Sequence, residues 1–279
     1  MRLAVIGIGL MGGSLALTLK RKGFVSNVIG VDNNTQHQAE ALALGLVDEI
    51  MTLEEAVKQS DIIAIATPVN IAEKLLPTIL DLVDQQVVFD VGSTKESIVQ
   101  IANSHSKNGR FVPTHPMWGT EFSGPSAAQQ DAFLEKATVI CNADKVDTDA
   151  LQKVEALYKA LGMHIVNMDA IKHDIHVAYV SHISHITSFA LANTVLEKEK
   201  ESDAIFELAS GGFESTVRLA KSNAAMWVPI FMQNKENVLD VLNEHISQLR
   251  KFKSCLEKEN FDYLSDLIEN ANGIKRILK

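Results

Sequence analysis

The first 32 residues constrain the fold more than any other part of the chain. The apolar run Arg2–Ile6 predicts a buried strand, and it leads directly into Gly-Ile-Gly-Leu-Met-Gly at residues 7–12. Met11–Lys22 has helical character, and a second apolar run, Val28–Val31, ends at Asp32. A strand, a glycine-rich turn, a helix and a second strand in this order predict a βαβ unit with parallel strands.

The glycines and Asp32 indicate what this unit binds. Gly7, Gly9 and Gly12 permit a tight turn, close approach of the backbone to a pyrophosphate, and close packing of helix on strand. The pyrophosphate would then lie at the positive end of the helix. Asp32 stands 20 residues after Gly12, where an acid bonds the hydroxyls of an adenosine ribose. A ligand-free turn with Asp32 as a helix N-cap is the alternative, which the ordered set of features disfavours.

The cofactor predicted from this unit is NAD. The Asp32 carboxylate would repel the 2′-phosphate of NADP, and the two asparagines that follow it supply no compensating arginine. We expect the cofactor also to contact Leu10 and Met11 in the loop, and Thr67 and Pro68, which end a predicted strand at Asp61–Ala66.

Strands alternate with helices as far as residue 167, and helices follow. Further helices are predicted at 36–44, 71–83, 95–104 and 149–161, and further strands at 87–91, 111–113, 137–141 and 164–167. After Asp169 the predicted helices lie within 177–195, 199–210, 224–249 and 261–272. The chain is therefore predicted to be α/β, with an N-terminal Rossmann-type dinucleotide-binding domain (1–167) and a C-terminal all-helical domain (168–279).

Composition narrows the classes of function. The 279 residues carry a formal net charge of −9 and no run of Lys and Arg, which disfavours a nucleic-acid partner. No apolar stretch reaches the about 18 residues of a membrane span, and the N-terminal glycines argue against a signal peptide. Cys141 and Cys255 show neither metal-site spacing nor a disulfide framework. We expect a cytoplasmic protein without membrane or nucleic-acid partners.

Ser93 and His115 follow predicted strands at places where a ligand would lie. Ligands of open α/β sheets bind beyond the carboxyl ends of the strands, and these two residues come just after 87–91 and 111–113. A histidine there can accept a proton from a substrate hydroxyl at neutral pH. Two plainer interpretations stay open, in which Ser93 only caps the next helix and His115 is a structural histidine in a turn.

The helical half carries further polar candidates. His182 and His185 are three residues apart and share one helix face, as a polar surface or a metal site would also require. Arg218 follows Gly211-Gly212 and suits bidentate binding of a carboxylate, although a solvated surface arginine is the alternative. Trp227 could pack in the core without any role in a site, as large aromatic side chains commonly do.

Together these segments resemble the prephenate/arogenate dehydrogenase family of tyrosine biosynthesis. The motifs occur in the family's order and span nearly the whole chain. They are Gly-Ile-Gly-Leu-Met-Gly-Gly-Ser at 7–14, Asp-Val-Gly-Ser-Thr-Lys at 90–95, His-Pro-Met-Trp-Gly-Thr-Glu at 115–121, Ser-His-Ile-Ser-His at 181–185, and Gly-Gly-Phe at 211–213 leading to Arg218. The family's architecture, a dinucleotide-binding domain followed by a helical domain that dimerises, agrees with the predicted elements.

The resemblance implies an oxidative decarboxylation. NAD takes a hydride from the hydroxyl-bearing carbon of a cyclohexadienol, carbon dioxide leaves, and the ring becomes a phenol. By resemblance, His115 bonds the ring hydroxyl and acts as the base, and Ser93 assists it. The substrate-binding positions implied are Arg218 for a carboxylate, His185 nearer the substrate side chain, Glu121 and Trp227. A homodimer acting on prephenate, with arogenate as the alternative substrate, is implied as well.

Some positions depart from the family's pattern, and two other functions stay open. Ser184 stands where proline is common, and Glu214-Ser215-Thr216 replaces a basic or Asp-containing stretch, so the contacts to the substrate side chain are not fixed by resemblance. We expect no tyrosine-sensing domain after the helices. A 3-hydroxyacid dehydrogenase or imine reductase is one alternative, but Lys172 lacks the glycine-rich helix start that precedes a catalytic lysine there. A nucleotide sensor, which binds without turnover, is the other.

Overall fold

The computed structural model describes residues 1–199 and 210–277. The chain forms two compact units, Met1–Asn234 and Lys235–Lys279, and each unit is described by itself.

A six-stranded parallel sheet lies at the centre of the first unit. Its strands are β1 (Arg2–Ile6), β2 (Asn27–Val31), β3 (Glu49–Ile50), β4 (Ile62–Ile65), β5 (Val87–Asp90) and β6 (Phe111–Val112). The spatial order is β3-β2-β1-β4-β5-β6, and all neighbours are parallel. The strand order reverses between β1 and β4, so the carboxyl ends of these two strands bound the crevice where open α/β sheets bind ligands.

Helices connect the strands and cover the sheet. They are α1 (Leu10–Arg21), α2 (Thr35–Ala43), α3 (Leu53–Gln59), α4 (Val69–Leu82), α5 (Glu96–Asn103) and α6 (Thr148–Leu161). Neither the two-residue strand β3 nor the helix α3 was among the predicted elements. The other elements of this region match their predictions to within a few residues.

Both faces of the parallel sheet are buried. Leu3 and Val5 of β1 belong to one core cluster, whereas Ala4 and Ile6 belong to another. Successive side chains of a strand point to opposite faces, so each cluster lies on one face of the sheet. Side chains of α1 and α6 complete the first cluster, and side chains of α3 and α4 complete the second. This burial explains why the strands read as continuous apolar runs.

A second sheet of three strands carries His115. Its strands are β7 (Thr114–Pro116), β8 (Ala137–Cys141) and β9 (His164–Met168), with β7 antiparallel to β8 and β8 parallel to β9. The prediction of a single parallel sheet with His115 in a loop past 111–113 was therefore wrong at this point. Pro113 has no N–H to donate to a strand ladder, and the chain passes from one sheet to the other there.

Beyond Met168 the described residues form helices and turns. The elements of the first unit are α7 (Ala170–Val177), a π-helical segment (Ala178–His182), α8 (Ile183–Glu199), α9 (Gly211–Val217), a 3-10 turn (Arg218–Lys221) and α10 (Ala224–Gln233). The predicted helix at 199–210 lies almost wholly outside the described residues. The predicted fold class, a parallel α/β sheet followed by a helical region, is confirmed.

The second unit is built from α11 (Lys235–Glu257), α12 (Phe261–Ala271) and a 3-10 turn (Asn272–Arg276). The single helix predicted at 224–249 is thus two helices, which end and begin on either side of Asn234. Across the described part of the chain, no helix has both the length and the apolar character needed to cross a membrane.

Candidate active site

The glycine loop joins β1 to α1 at the point where the strand order reverses. Gly7 has a φ of +94°, and a Cβ there would lie 2.7 Å from the backbone oxygen of Ala66. A Cβ on Gly12 would lie 2.1 Å from the Gly7 oxygen and 2.7 Å from the Val5 side chain. Both glycines are required by the packing of the protein itself.

Gly9 differs, because apart from its own chain neighbours no atom of the described residues lies within 4 Å of the position that a Cβ would take there. Gly9 is the N-cap of α1, and it supplies no side-chain cap to the helix. The first N–H groups of a helix have no partner inside the helix. The open space beside Gly9, at the N-terminus of α1, therefore fits a pyrophosphate.

Asp32 is fixed to the glycine loop. Its Oδ2 accepts a hydrogen bond from the Ile8 N–H at 3.0 Å, and its Oδ1 accepts from the Asn34 N–H at 2.9 Å. The cap of α2 is Asn34, whose side chain accepts from the Gln36 and His37 N–H groups. Asp32 is therefore not a helix cap, and its carboxylate keeps acceptor positions for the hydroxyls of a ribose.

A cavity of about 470 Å³, called the first cavity below, lies beside Asp32. The predicted cofactor residues that line it are Gly7, Gly9, Asp32, Thr67 and Pro68. Apolar side chains from α3 and α4, including Leu53, Ile71 and Leu75, complete its wall. An apolar slot ending at an acid suits an adenosine, whose base is flat and apolar and whose ribose carries hydroxyl donors.

A second cavity of about 410 Å³ holds most of the predicted catalytic and substrate-binding residues. Leu10 and Met11 of the glycine loop contribute to its wall. The other predicted residues that line it are Ser93, His115, His185, Arg218 and Trp227. Residues from β7, the turn after β5 and the helical segments thus converge next to the loop predicted to hold the cofactor.

Ser93 lies in the turn between β5 and α5, where it faces the second cavity. It is not the cap of α5, because that helix has Lys95 at its N-cap position and receives no cap from Ser93 or Thr94. Instead, the Asp174 carboxylate accepts the N–H groups of Lys95 and Glu96 at 2.8 and 2.9 Å. The hydroxyl of Ser93 is therefore available to a ligand in the cavity.

The Asp90 carboxylate connects the Ser93 turn to the strand of His115. Its Oδ2 accepts from the Gly92 N–H at 2.9 Å and forms a fully buried ion pair with Lys95 Nζ. Its Oδ1 accepts from the Thr114 N–H, the first residue of β7, at 3.1 Å. A single buried carboxylate therefore fixes the end of β5, the turn and β7 relative to one another.

His115 is 9% exposed and bonds to a second histidine. Its Nδ1 lies 2.9 Å from Nε2 of His173, so its other nitrogen, Nε2, is the one available to the cavity. Burial lowers the pKa of His115 well below its usual 6.5, and the positive charge of the nearby Lys95 ammonium lowers it further. An imidazole held neutral in this way can accept a proton at physiological pH.

His185 and Trp227 form one wall of the second cavity. Their rings are stacked, with centroids 3.5 Å apart and planes inclined by 28°. The His185 Nδ1–H donates to the Ser181 carbonyl at 3.1 Å, and burial lowers the pKa of His185. Trp227 also packs with Val69, Ile230 and neighbouring rings, so its side chain belongs both to a core cluster and to the wall of the cavity.

Arg218 reaches the cavity and is paired with Glu121. Its Nη1 donates to Glu121 Oε2 at 2.9 Å, while the guanidinium side chain remains about half exposed. Glu121 itself does not line the second cavity and belongs to the neighbouring loop surface. It touches the predicted site through Arg218, whose other N–H groups remain to receive a carboxylate.

His182 is buried behind the cavity instead of lining it. Its Nδ1 accepts from Asn234 at 3.2 Å, and burial lowers its pKa to about 4. Within residues 1–199 and 210–277, no group of three or more His, Cys, Asp or Glu side chains is placed to hold a metal ion.

Two family models match the chain. Residues 15–167 match prephenate dehydrogenase, nucleotide-binding domain, and residues 169–270 match prephenate dehydrogenase, dimerization domain. The chain belongs to the prephenate dehydrogenase family. The family predicted from the sequence motifs is thereby confirmed.

Curated relatives and solved structures of the family cover almost all of the chain. It is 30% identical to a prephenate dehydrogenase of Bacillus subtilis over 273 residues, which are 96% of this chain and 74% of the relative. It is 27% identical to a cyclohexadienyl dehydrogenase of Zymomonas mobilis, with 99% and 96% covered. The prephenate dehydrogenase of Aquifex aeolicus, solved with hydroxyphenyl propionate and NAD+, superimposes with a TM-score of 0.90 at 28% identity, covering 99% and 97%. An arogenate dehydrogenase from Synechocystis gives 0.77 at 27%, with both chains fully covered.

His173, Asp174 and Asp90 were not predicted as site residues. Asp90 and the adjacent His173-Asp174 pair are visible in the sequence, but their partners lie about 24 to 79 positions away in it. A buried ion pair or a bond between two histidines has no local pattern. The available signals were the place of Asp90 at the start of the motif at 90–95 and an aspartate directly following a histidine in the helical half.

Proposed function

We propose that the chain is an NAD-dependent prephenate dehydrogenase, which converts prephenate to 4-hydroxyphenylpyruvate and carbon dioxide in tyrosine biosynthesis. The observation that carries this proposal is the second cavity, in which a neutral His115 lies beside the glycine loop, with Ser93 and Arg218 in the same wall. Family membership makes the dehydrogenase reaction the one that this arrangement serves.

NAD fits the residues of the first cavity. The Gly9 opening and the N-terminus of α1 would hold the pyrophosphate, and Asp32 would accept the ribose hydroxyls. Thr67 and Pro68 would border the cofactor, as would Leu10 and Met11 where the loop meets the second cavity. When bound there, NAD supplies the acceptor for the hydride that leaves the hydroxyl-bearing carbon.

The protein residues handle the proton and the carboxylates. His115 Nε2 takes the proton of the ring hydroxyl as the C–O bond gains carbonyl character, and Ser93 orients that hydroxyl. Loss of carbon dioxide returns the electron pair to the ring, and the phenol oxygen recovers the proton from His115. Arg218 binds a substrate carboxylate, and the stacked pair of His185 and Trp227 shapes the side-chain end of the cavity.

The charges of the cavity support prephenate over arogenate. Arg218 and Lys136 line the second cavity, and no carboxylate does so among the described residues. Prephenate carries two carboxylates and no amine, whereas arogenate carries an ammonium that would face these cations. Arogenate stays the alternative substrate, because an arogenate dehydrogenase shares the fold over the full length of the chain.

The test is NADH formation by the purified protein with NAD, comparing kcat/KM for prephenate and arogenate. His115→Asn should lose kcat by a factor on the order of 100 to 10,000 while the Kd for NAD stays the same. His164→Gln is the matched control, because His164 is an exposed histidine on β9 of the same sheet. Tight NAD binding with turnover of neither substrate would overturn the proposal in favour of a sensor or another dehydrogenase.

We also infer a homodimer and a domain boundary at residues 167–168. Apolar side chains stay exposed on the helices of the first unit, among them Ile171, Leu196, Val228 and Met232, and residues 169–270 match a dimerization domain. The two family matches meet at the proposed boundary. A monomeric mass at micromolar concentration would count against the dimer. The cytoplasmic location stays a prediction, which cell fractionation would check.

A further inference from the structure

His115 is the first member of a chain of hydrogen bonds that leads away from the second cavity. Its Nδ1 lies 2.9 Å from His173 Nε2, and His173 Nδ1 lies 2.7 Å from Asp174 Oδ1. His173 and Asp174 are both about 1–2% exposed. Hydrogen bonds through the His115 and His173 imidazoles thus connect the cavity to the buried carboxylate of Asp174.

The carboxylate is held in place independently of the histidines. Asp174 Oδ1 accepts the Lys95 N–H at 2.8 Å, and Oδ2 accepts the Glu96 N–H at 2.9 Å. These N–H groups begin α5, so the carboxylate caps the positive end of that helix. The Asp174 backbone oxygen also accepts from Asn234 Nδ2 at 2.7 Å. Such contacts leave Asp174 little freedom to turn away from His173.

When the imidazoles of His115 and His173 are both neutral, their bonding partners determine which ring nitrogens carry the hydrogens. A carboxylate only accepts hydrogen bonds, so His173 Nδ1 must carry the hydrogen that faces Asp174. The other nitrogen of a neutral His173, Nε2, is then an acceptor, and His115 Nδ1 must carry the hydrogen between the two rings. His115 Nε2 consequently has no hydrogen and a free lone pair.

We propose that His173 and Asp174 are positioning residues, which hold His115 in the tautomer whose bare Nε2 faces the substrate hydroxyl. This inference rests on the proposed function for its catalytic consequence, but the tautomer itself does not. When the hydroxyl gives its proton to Nε2, one O–H bond breaks and one N–H bond forms. The positive charge then lies on an imidazole that already donates to His173, within a network that ends at a carboxylate.

Nuclear magnetic resonance reads the tautomer directly. In protein labelled with 15N-histidine and saturated with NAD, the two-bond 1H–15N spectrum distinguishes a protonated ring nitrogen from a bare one, and His115→Asn assigns the signals. We expect His115 with hydrogen on Nδ1 and none on Nε2. His173→Leu should abolish that preference. His182→Leu is the matched control, since it removes a buried histidine from the following helical segment that contacts neither His115 nitrogen, and it should leave the His115 signals unchanged.

Kinetics supply the second readout. His173→Leu should lower kcat about 100-fold while the KM for NAD changes by less than about twofold. His173→Gln should recover at least about tenfold of that loss, because a side-chain amide can accept from His115 and donate to Asp174 in the same order. Recovery by Gln would not follow from a purely space-filling role.

The outcomes separate this inference from the proposed function. Hydrogen on Nε2 of His115 in the wild-type protein, or a His115 tautomer unaffected by His173→Leu, overturns the inference even if prephenate is turned over. Equal loss of kcat in the Leu and Gln variants also overturns it. Turnover of neither substrate by a wild-type protein that shows the expected tautomer would refute the proposed function and leave the inference standing.

Discussion

At the glycine loop, Gly9 and Gly12 lie three residues apart in very different surroundings. A Cβ on Gly12 would collide with the Gly7 backbone. A Cβ on Gly9 would meet no atom of the described residues apart from its own chain neighbours, and Gly9 has an ordinary φ of −87°. The structure therefore leaves space beside Gly9, at the N-terminus of α1, that a pyrophosphate can occupy.

Alanine at these two positions should separate folding from binding. Gly9→Ala should keep the wild-type free energy of unfolding to within about 0.5 kcal/mol, yet weaken NAD binding at least about tenfold. Gly12→Ala should lose at least about 1 to 3 kcal/mol of stability, as an overpacked core site does. Thermal unfolding and NAD titration of both variants check this. Unimpaired NAD binding by Gly9→Ala would contradict the placement of the pyrophosphate.

The pH dependence of turnover should report the burial of His115. Since burial lowers its pKa well below 6.5, the imidazole stays unprotonated as the pH falls through 6.5. The acid limb of kcat/KM for prephenate should therefore begin well below pH 6.5, because only protonation of His115 removes the base. A steady-state pH profile of the free enzyme's kcat/KM measures this. A limb centred near 6.5 would mean that His115 titrates as a solvent-exposed histidine does.

Single residues differed in how far their sequence context could place them. Ser93 and His115 were predicted from their positions after strands, and Arg218 from its position after two glycines. His185 was predicted from its spacing to His182 and from the family resemblance, and the structure brings all four residues to one cavity. The role of Asp174 as the cap of α5 could not be predicted, because it lies 78 residues from Glu96. Local spacing indicates which end of the sheet a residue reaches, but long-range partners depend on the completed fold.

At the scale of elements, the start of α2 places the helix cap and the acidic residue at two different positions, Asn34 and Asp32. Asn34 caps the helix, which leaves the Asp32 carboxylate bonded to the glycine loop. Asn34→Ala should cost about 1 kcal/mol of unfolding free energy, as loss of an N-cap does. Asn33→Ala, an exposed neighbour outside the cap, is the control and should change stability by less than about 0.5 kcal/mol. Urea denaturation compares them, and equal losses would refute this assignment of the cap.

Most elements of the first unit were predicted to within a few residues, but α3, β3 and β7 were not. The helix α3 begins with a capping box between Thr52 and Glu55, so a Thr-x-x-Glu signal for it was present in the sequence. The strand β3 has two residues, too few for any alternation to show. β7 is defined by its pairing with β8, and an antiparallel partner more than 20 residues away leaves no local mark on Thr114–Pro116.

At the scale of the whole molecule, buried neutral histidines make stability depend on pH. The pKa of His182 is about 4 in the folded protein, whereas an unfolded histidine titrates near 6.5. Between these values the unfolded chain binds the extra proton. Stability is therefore fully present above about pH 6.5 and falls as the pH is lowered toward 4.

Removing His182 should reduce this dependence. In His182→Gln the slope of unfolding free energy against pH should decrease by up to about 1.4 kcal/mol per pH unit across that window. His164→Gln, at an exposed site, should keep the wild-type slope. Urea denaturation at a series of pH values gives both slopes. An unchanged slope in His182→Gln would show that His182 is protonated in the folded protein.

The whole-molecule architecture followed from the order of strands, glycines and helices, because a parallel sheet needs crossover helices on both faces. The division of the chain at Asn234 was not foreseen, since α10 and α11 are joined by a single residue that carries no glycine or proline signal. Asn234 is 3% exposed and donates to Asp174, which is a tertiary reason for the helix to end there.

The hydrogen bonds of Asp90 to the Ser93 turn and to β7 have a consequence for protein engineering. Its carboxylate joins the Ser93 turn to the strand of His115 from the sheet side, whereas Arg218 and Met226 approach the same cavity from the helical segments. Under the proposed function, substrate choice and acid–base geometry are therefore set by different stretches of the chain. Residues 211–226 could therefore be exchanged to admit a substrate with a new ring substituent, while Ser93 and His115 keep their positions through Asp90.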